Sequence, residues 1–164
     1  MKVLLTGMSG VGKSTLIGEF RALGCHAVDL DSPEWSHYSA VKPGEAVEWI
    51  WRIERVSELL GDSTGDALFV GGCAANQGQV YGLLDCVVLL KAPEEVMRER
   101  LATRQGNEFG KKPEELEKIF RDKAEFEGLL EAGADLVVDT SKPLDEVIFE
   151  IANYVGIRLQ DDVE

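Results

Sequence analysis

Short apolar runs alternate with amphipathic stretches along the whole chain. "KVLLT" (2–6), "HAVDL" (26–30), "ALFVG" (67–71), "CVVLL" (86–90) and "DLVVD" (135–139) read as five strands. Each is nearly continuous in apolar or β-branched residues, as strands covered on both faces are. Between them the spacing turns helical. One helix is predicted from about Lys13 to Leu23, closed by Gly24. A second is predicted from Glu45 to Leu60, with Pro43-Gly44 as its start. There apolar residues recur at Ala46, Trp49, Ile50, Ile53, Val56 and Leu60, and Gly61 ends it. Others are expected from Pro93 to about Arg104, from Glu114 to Glu131, and from Pro143 to Val155. Strands separated by helices predict a parallel sheet covered on both sides, an α/β doubly wound domain.

The 164 residues fit a single domain spanning 1–164, with no repeat, low-complexity tract or linker. A formal net charge of −13 argues against a general nucleic-acid binder, which needs a basic face. No apolar run approaches the roughly 18 residues of a membrane span, and "VLL" is too short for a signal-peptide core. The expectation is a cytoplasmic protein with no nucleic-acid or membrane partner, as a monomer or weak homodimer. Cys25, Cys73 and Cys86 are scattered and form no CxxC, so buried thiols are expected rather than disulfides or a zinc site. His26 and His37 are too isolated to form a metal or nucleophile-activating pair.

The strongest chemical signal is "GMSGVGKST" at 7–15, between the first strand and the first helix. Gly7, Gly12, Lys13 and Ser14 complete G-x-x-x-x-G-K-[ST]. Glycines let the backbone wrap a phosphate with successive N–H groups pointing inward, at a helix N-terminus whose dipole favours anions. Gly7, Ser9, Gly10, Val11, Gly12, Lys13, Ser14 and Thr15 are therefore the expected nucleotide-binding residues. Lys13 reaches the β- and γ-phosphates and the Ser14 hydroxyl can ligate Mg²⁺. ATP and Mg²⁺ are the expected cofactors.

What receives the phosphate is less direct. The third and fourth strands end in "ALFVGGCA" and "CVVLLKAP", with no metal-holding carboxylate, and no N-K-x-D follows. That pattern argues against a GTPase switch or a motor-type ATPase. The acids stand instead in "VDLDS". Asp29 and Asp31, two apart on a strand, point to one side, at the strand end that lines the ligand crevice of such sheets. One can hold Mg²⁺ and the other can accept a proton from an incoming hydroxyl. Alternatively they are a turn acid and a helix cap.

Gly7–Thr15, Asp29-x-Asp31, Gly71-Gly72 and the arginine-bearing loop at 104–111 resemble the shikimate kinase-like members of the nucleoside monophosphate kinase superfamily. The resemblance covers nearly the whole chain in motif order. It implies a three-layer P-loop kinase fold with strand order 2-3-1-4-5, an acceptor-binding region at about 31–62 and a short lid at about 104–113. By that resemblance Asp29 is the metal-linked aspartate, Asp31 the acceptor-binding carboxylate, and Gly71 and Gly72 a backbone wall against the acceptor. Arg104 resembles the lid arginine that lies against adenine, and Pro143 the residue on the base's other face. Lys111 falls where the family places a lid arginine near the transferring phosphoryl group. Arg100 and Arg104 lie four apart on one helical face, so both can turn toward the phosphates. Arg98 and Arg100 can equally pair with neighbouring glutamates.

The chain also departs from the family. Cys73 replaces a third glycine, and "AEFEGLLEAG" is acidic where the family carries a carboxylate-clamping arginine. Arg52 or Arg55 can stand in for the acceptor-helix arginine, but one cation makes a poorer carboxylate site than two. Shikimate is therefore not the expected acceptor. All three tryptophans, Trp35, Trp49 and Trp51, fall in the acceptor region. On a helix Trp49 and Trp51 cannot share a face, so one is expected in the core and one toward the crevice. They form either an aromatic wall for a planar acceptor or packing anchors. Asn76 and Gln77 either read an acceptor edge or cap the short helix after them. The resulting expectation is an ATP- and Mg²⁺-dependent phosphotransferase acting on a small molecule, with Lys13, Asp31, Arg104 and Lys111 as its catalytic groups. A nucleoside or nucleoside monophosphate kinase, and a nucleotide-binding module without turnover, remain the alternatives.

Overall fold

The computed structural model describes residues 1–62 and 65–159. Seven strands and five α-helices follow in the order β1 (Lys2–Thr6), α1 (Lys13–Ala22), β2 (His26–Asp29), β3 (Ser36–Ser39), β4 (Glu48–Trp51), α2 (Ile53–Asp62), β5 (Leu68–Gly71), a 3₁₀ helix (Gln77–Leu83), β6 (Cys86–Lys91), α3 (Glu94–Thr103), α4 (Pro113–Ala132), β7 (Leu136–Asp139) and α5 (Leu144–Val155). Five of the strands form a parallel sheet in the order β2-β5-β1-β6-β7. Counted among these five alone, that is the expected order 2-3-1-4-5.

Alternation along the strands divides the core in two. Val3 and Leu5 of β1, Phe69 of β5 and Val88 and Leu90 of β6 face one layer, with Leu16, Ile17 and Phe20 of α1 and Val147, Ile148 and Ile151 of α5. Phe20 and Phe69 stack there with centroids 4.0 Å apart. Leu4, Leu68, Val70 and Val87 face the other layer, with Val56 and Leu60 of α2 and Val80 of the 3₁₀ helix. The sheet is thus covered on both faces, as its continuous apolar strands require.

The segment at 45–60 differs from the expected helix. Only Ile53–Asp62 is helical, and Glu48–Trp51 is a strand paired antiparallel with Ser36–Ser39. Pro43-Gly44 starts no helix. It forms the corner of a reverse turn in which the Glu45 N–H donates to the Lys42 carbonyl at 3.1 Å and Gly44 has φ 87°. Proline followed by a left-handed glycine is the pattern of a type II turn. "EWIW" satisfied a helical period only because its apolar neighbours at 46 and 53 extended the match. Partners in β3 decide the strand state.

Among the described residues, no helix is long and apolar enough to cross a membrane. All three cysteines are free. Cys86 is buried, whereas Cys25 and Cys73 are only half-buried.

Candidate active site

The phosphate loop leaves β1 and turns through Gly10 and Gly12, with φ 88° and 102°. Gly10 also approaches α3 closely: a Cβ there would lie 3.0 Å from Leu101 Cγ and 3.2 Å from the Met97 carbonyl oxygen. Lys13 folds back over the loop, donating from Nζ to the Gly7 and Met8 carbonyls at 2.5 and 2.9 Å. Its charge is thereby held over the cradle that the backbone forms.

Both aspartates stand at this loop. Ser14 Oγ donates to Asp29 Oδ2 at 3.0 Å, which brings together a hydroxyl and a carboxylate of the kind Mg²⁺ accepts. Among the described residues, no three His, Cys, Asp or Glu side chains cluster as a metal cage. A Mg²⁺ ion on this pair would fill its shell from phosphate and water, its usual mode beside nucleotides. β2 ends at Asp29, so strand alternation does not aim Asp31. A turn does: the Asp31 N–H donates to Asp29 Oδ1 at 3.0 Å.

Asp31 is held from three sides. Trp51 Nε1 donates to its Oδ1 at 3.2 Å, and the Cys73 N–H lies 3.3 Å from both carboxylate oxygens. Trp49 Nε1 donates to the Asp31 main-chain oxygen at 2.9 Å. The two tryptophans do share a face, contrary to the helical expectation, because residues two apart on a strand point the same way. Burial pushes the Asp31 carboxyl above the ordinary carboxylate range. Lys13, the Trp51 indole and the Cys73 amide pull it back, while Asp29 adds to the rise. Gly72 makes this possible, since a Cβ there would lie 2.7 Å from Asp31 Oδ1. Gly71 lies in β5 beside β1, where an added Cβ would meet Ile17 of α1 at 2.7 Å. The Cys73 thiol, also pushed up by burial, feels both the Lys13 and the Asp31 charges.

Asn76 and Gln77 are buried and committed within the protein. Asn76 pairs with the Trp51 backbone in both directions, at 2.9 and 3.1 Å. Gln77 accepts from the Ala74 N–H at 2.8 Å and donates to Tyr81 Oη and Thr6 Oγ1 at 2.8 and 3.1 Å. These amides brace the wall behind Asp31, one on the tryptophan strand and one on β1. Arg52 and Arg55 are exposed. Arg55 pairs with Glu34 at 3.6 Å and lies over the Trp35 ring, 5.2 Å from its centroid.

The loop between α3 and α4 begins at Arg104. That guanidinium donates to the Asn107 carbonyl at 3.2 Å and to the Phe109 carbonyl, so it shapes this loop from within. Lys111 pairs with Glu108 at 3.4 Å. Arg98 pairs with Glu94 and covers Phe120. Pro143 caps α5 on an exposed loop. Among the described residues Arg100 pairs with no glutamate, and it does not turn with Arg104; it reaches the Val11 carbonyl and Thr140.

A family model described as AAA domain matches residues 3–121, from β1 through the glycine-rich loop, the aspartates and α3 into α4. The chain belongs to this AAA-domain family. The match makes its glycine-rich loop a nucleotide-binding P-loop. A protein of Thermosipho melanesiensis called a nucleotide-binding protein is 30% identical over 146 residues, covering 85% of this chain and 48% of its own length. The chain thus spans about half the length of the curated relative it matches. Among solved structures, shikimate kinase from Bacteroides thetaiotaomicron superposes with a TM-score of 0.63 at 16% identity, over 96% of this chain and 99% of that one. Shikimate kinase from Aquifex aeolicus gives 0.59 at 23% identity, over 95% and 96%. A sugar kinase from Janibacter sp. gives 0.57 at 18% identity, over 95% and 94%. At such identities the likeness establishes the P-loop kinase-like fold alone.

Three contacts of this AAA-domain protein differ from what its sequence pattern predicts: the Trp51 indole on Asp31, and Arg100 and Thr140 on the Val11 carbonyl. Once the strand at 48–51 is recognised, alternation alone puts Trp49 and Trp51 on one face. No comparable local signal exists for Arg100, because its partners lie 89 and 40 residues away.

Proposed function

We propose that this P-loop protein is an ATP- and Mg²⁺-dependent phosphotransferase acting on a hydroxyl group of a small molecule other than shikimate. The observation that carries the reading is the placement of Asp31. A half-buried, largely desolvated carboxylate is kept next to the charge of Lys13, at the mouth of the same loop whose Ser14 meets Asp29. Burying a carboxylate is unfavourable, and nucleotide binding alone gives no reason to do so.

In this mechanism the P-loop amides and Lys13 hold the β- and γ-phosphates, and Ser14 with Asp29 would hold Mg²⁺. The ion, when bound, supplies charge neutralisation on the phosphate oxygens. Asp31 accepts a hydrogen bond from the acceptor hydroxyl through lone pairs that Trp51 and Cys73 leave open. As the acceptor oxygen bonds to the γ-phosphorus and the bond to the ADP oxygen breaks, Asp31 takes the hydroxyl proton. Arg104 and Lys111 act from the lid: Arg104 shapes the turn that covers the nucleotide, and Lys111 swings from Glu108 toward the transferred group. The aromatic hairpin forms the acceptor wall, with Gly72 and Asp31 at its base and Arg52 and Arg55 at its rim.

A nucleotide-binding module without turnover is the second reading, favoured by the name of the Thermosipho relative. The deciding experiment measures ADP formation with Mg²⁺-ATP against panels of sugars, polyols, nucleosides and nucleoside monophosphates, with D31N as control. Acceptor-dependent turnover that D31N abolishes supports the proposal. Turnover restricted to monophosphates and insensitive to D31N shifts it to a monophosphate kinase. Tight ATP binding with no turnover on any panel favours the module.

A further inference from the structure

The face of α3 formed by Met97, Arg100 and Leu101 is packed against the phosphate loop, and the helix runs on into the loop that begins at Arg104. Met97 and Leu101 are fully buried, and the Met97 carbonyl and the Leu101 side chain lie where a Gly10 Cβ would be. Between these contacts, Arg100 Nη1 donates to the Val11 carbonyl at 3.2 Å and to Thr140 Oγ1 at 3.1 Å, and Nη2 donates to the Thr140 carbonyl at 2.5 Å. Thr140 is itself buried, and its Oγ1 donates to the same Val11 carbonyl at 2.6 Å. One loop carbonyl therefore receives two donors, from elements on either side of it.

A peptide unit is planar, with its C=O and N–H pointing in opposite directions. Tying the Val11 carbonyl to Arg100 and Thr140 consequently turns the Gly12 N–H the other way, toward the inside of the loop. Gly12, at φ 102°, is in the region where a peptide flip is easiest, so this plane has the least intrinsic restraint. We propose that Arg100 and Thr140 are positioning residues that lock the Val11–Gly12 peptide, so that the Gly12 N–H faces the phosphate chain of a bound nucleotide. The same bracket joins three parts of the site: the helix that leads into the lid, the loop carrying Pro143, and the P-loop. The inference rests on nucleotide binding by the loop and not on the acceptor or on turnover.

The experiment uses ADP as the probe, with the full chain as wild type, T140V, T140S and R100K. T140V removes only the hydroxyl, T140S keeps it, and R100K keeps the charge without the fork that spans two acceptors. Titration calorimetry gives the ADP affinity, and ¹⁵N-resolved NMR follows the Gly12 amide. A hydrogen bond to a charged group contributes about 1.5–3 kcal/mol, so misorienting this amide weakens ADP binding by roughly tenfold or more. The expected result is that loss in both T140V and R100K, with T140S close to wild type. The Gly12 amide proton moves downfield on ADP addition in wild type and T140S but not in T140V or R100K. A Gly12 response that survives in both T140V and R100K overturns the proposal, as does an affinity loss that T140S shares. Wild-type ADP binding without phosphate transfer to any acceptor would end the phosphotransferase reading and leave this one standing.

Discussion

Trp51 donates its indole N–H to Asp31 across 3.2 Å, from a hairpin strand to a turn that the sheet alone would leave loose. The indole is almost fully buried, and its own backbone is clamped by Asn76. The carboxylate's orientation is thus inherited through a chain of contacts from the 3₁₀ helix, through the hairpin, to the mouth of the P-loop. Replacing Trp51 by phenylalanine keeps most of the packing and removes the donor. W51F is expected to lower kcat by about 10–100-fold, the range of a misplaced acid–base group, with nucleotide affinity unchanged. Steady-state kinetics beside ADP titration separate the two.

Asp31 gives a prediction whose sign depends on pH. Its folded-state pKa is raised, chiefly by burial. A carboxyl raised in this way stabilises the fold below its unfolded pKa of about 3.9, and that contribution is lost as pH rises through the folded value. At neutral pH the desolvated charge therefore weighs against the fold. D31N is expected to melt above wild type at pH 7, with the gap closing as the medium is acidified, while activity falls by at least about a hundredfold. Melting curves from pH 4 to 8 test it, and an equal or lower melting temperature at pH 7 contradicts it. The acid limb of the wild-type kcat/KM profile is expected above the usual carboxylate range.

Asp29 makes a separable claim. Its Oδ2 meets the Ser14 hydroxyl, while its Oδ1 holds the Asp31 amide. D29N keeps an acceptor for one of these contacts but loses the charge. The Mg²⁺ concentration giving half-maximal rate is expected to rise about 10–100-fold, at least the effect of losing a group that orients a metal's ligands. A magnesium titration at saturating ATP reads this directly. An unchanged midpoint would remove Asp29 from the metal site.

The hairpin corner is testable without any ligand. Gly44 has open space around its missing Cβ, so only its backbone conformation is at stake in G44A. A left-handed alanine costs about 1–2 kcal/mol, and urea unfolding is expected to show a loss of that size. A neutral result would mean that the turn relaxes freely and does not set the hairpin.

Much of this architecture was readable from residue order. Val3, Leu4 and Leu5 announce a strand buried on both faces, and the glycine spacing with Lys13 and Ser14 announces a phosphate cradle. What escaped was non-local. Residues 45–60 carry apolar positions compatible with a helix, and pairing of Tyr38 with Trp49 and of Ser36 with Trp51 settles the matter in favour of a strand. Asn76 and Gln77 look like readers of a ligand edge because their amides are versatile. Only the fold shows those amides facing Trp51, Thr6, Ala74 and Tyr81 instead. Arg100 is similar: its four-residue spacing from Arg104 says they share a helix face, but not that the P-loop lies beneath one and the Asn107–Phe109 turn beside the other.

The clustering of all three indoles around Asp31 and Arg55 gives the protein an optical asymmetry. Trp49 and Trp51 both touch Asp31, and Trp35 lies under Arg55, so their emission is sensitive to charge changes there. No indole stands at Arg104 or Pro143. Intrinsic fluorescence should respond to a ligand that docks at Asp31 and stay nearly silent when only an adenine ring docks, so unlabelled protein can be screened against the proposed classes of acceptor.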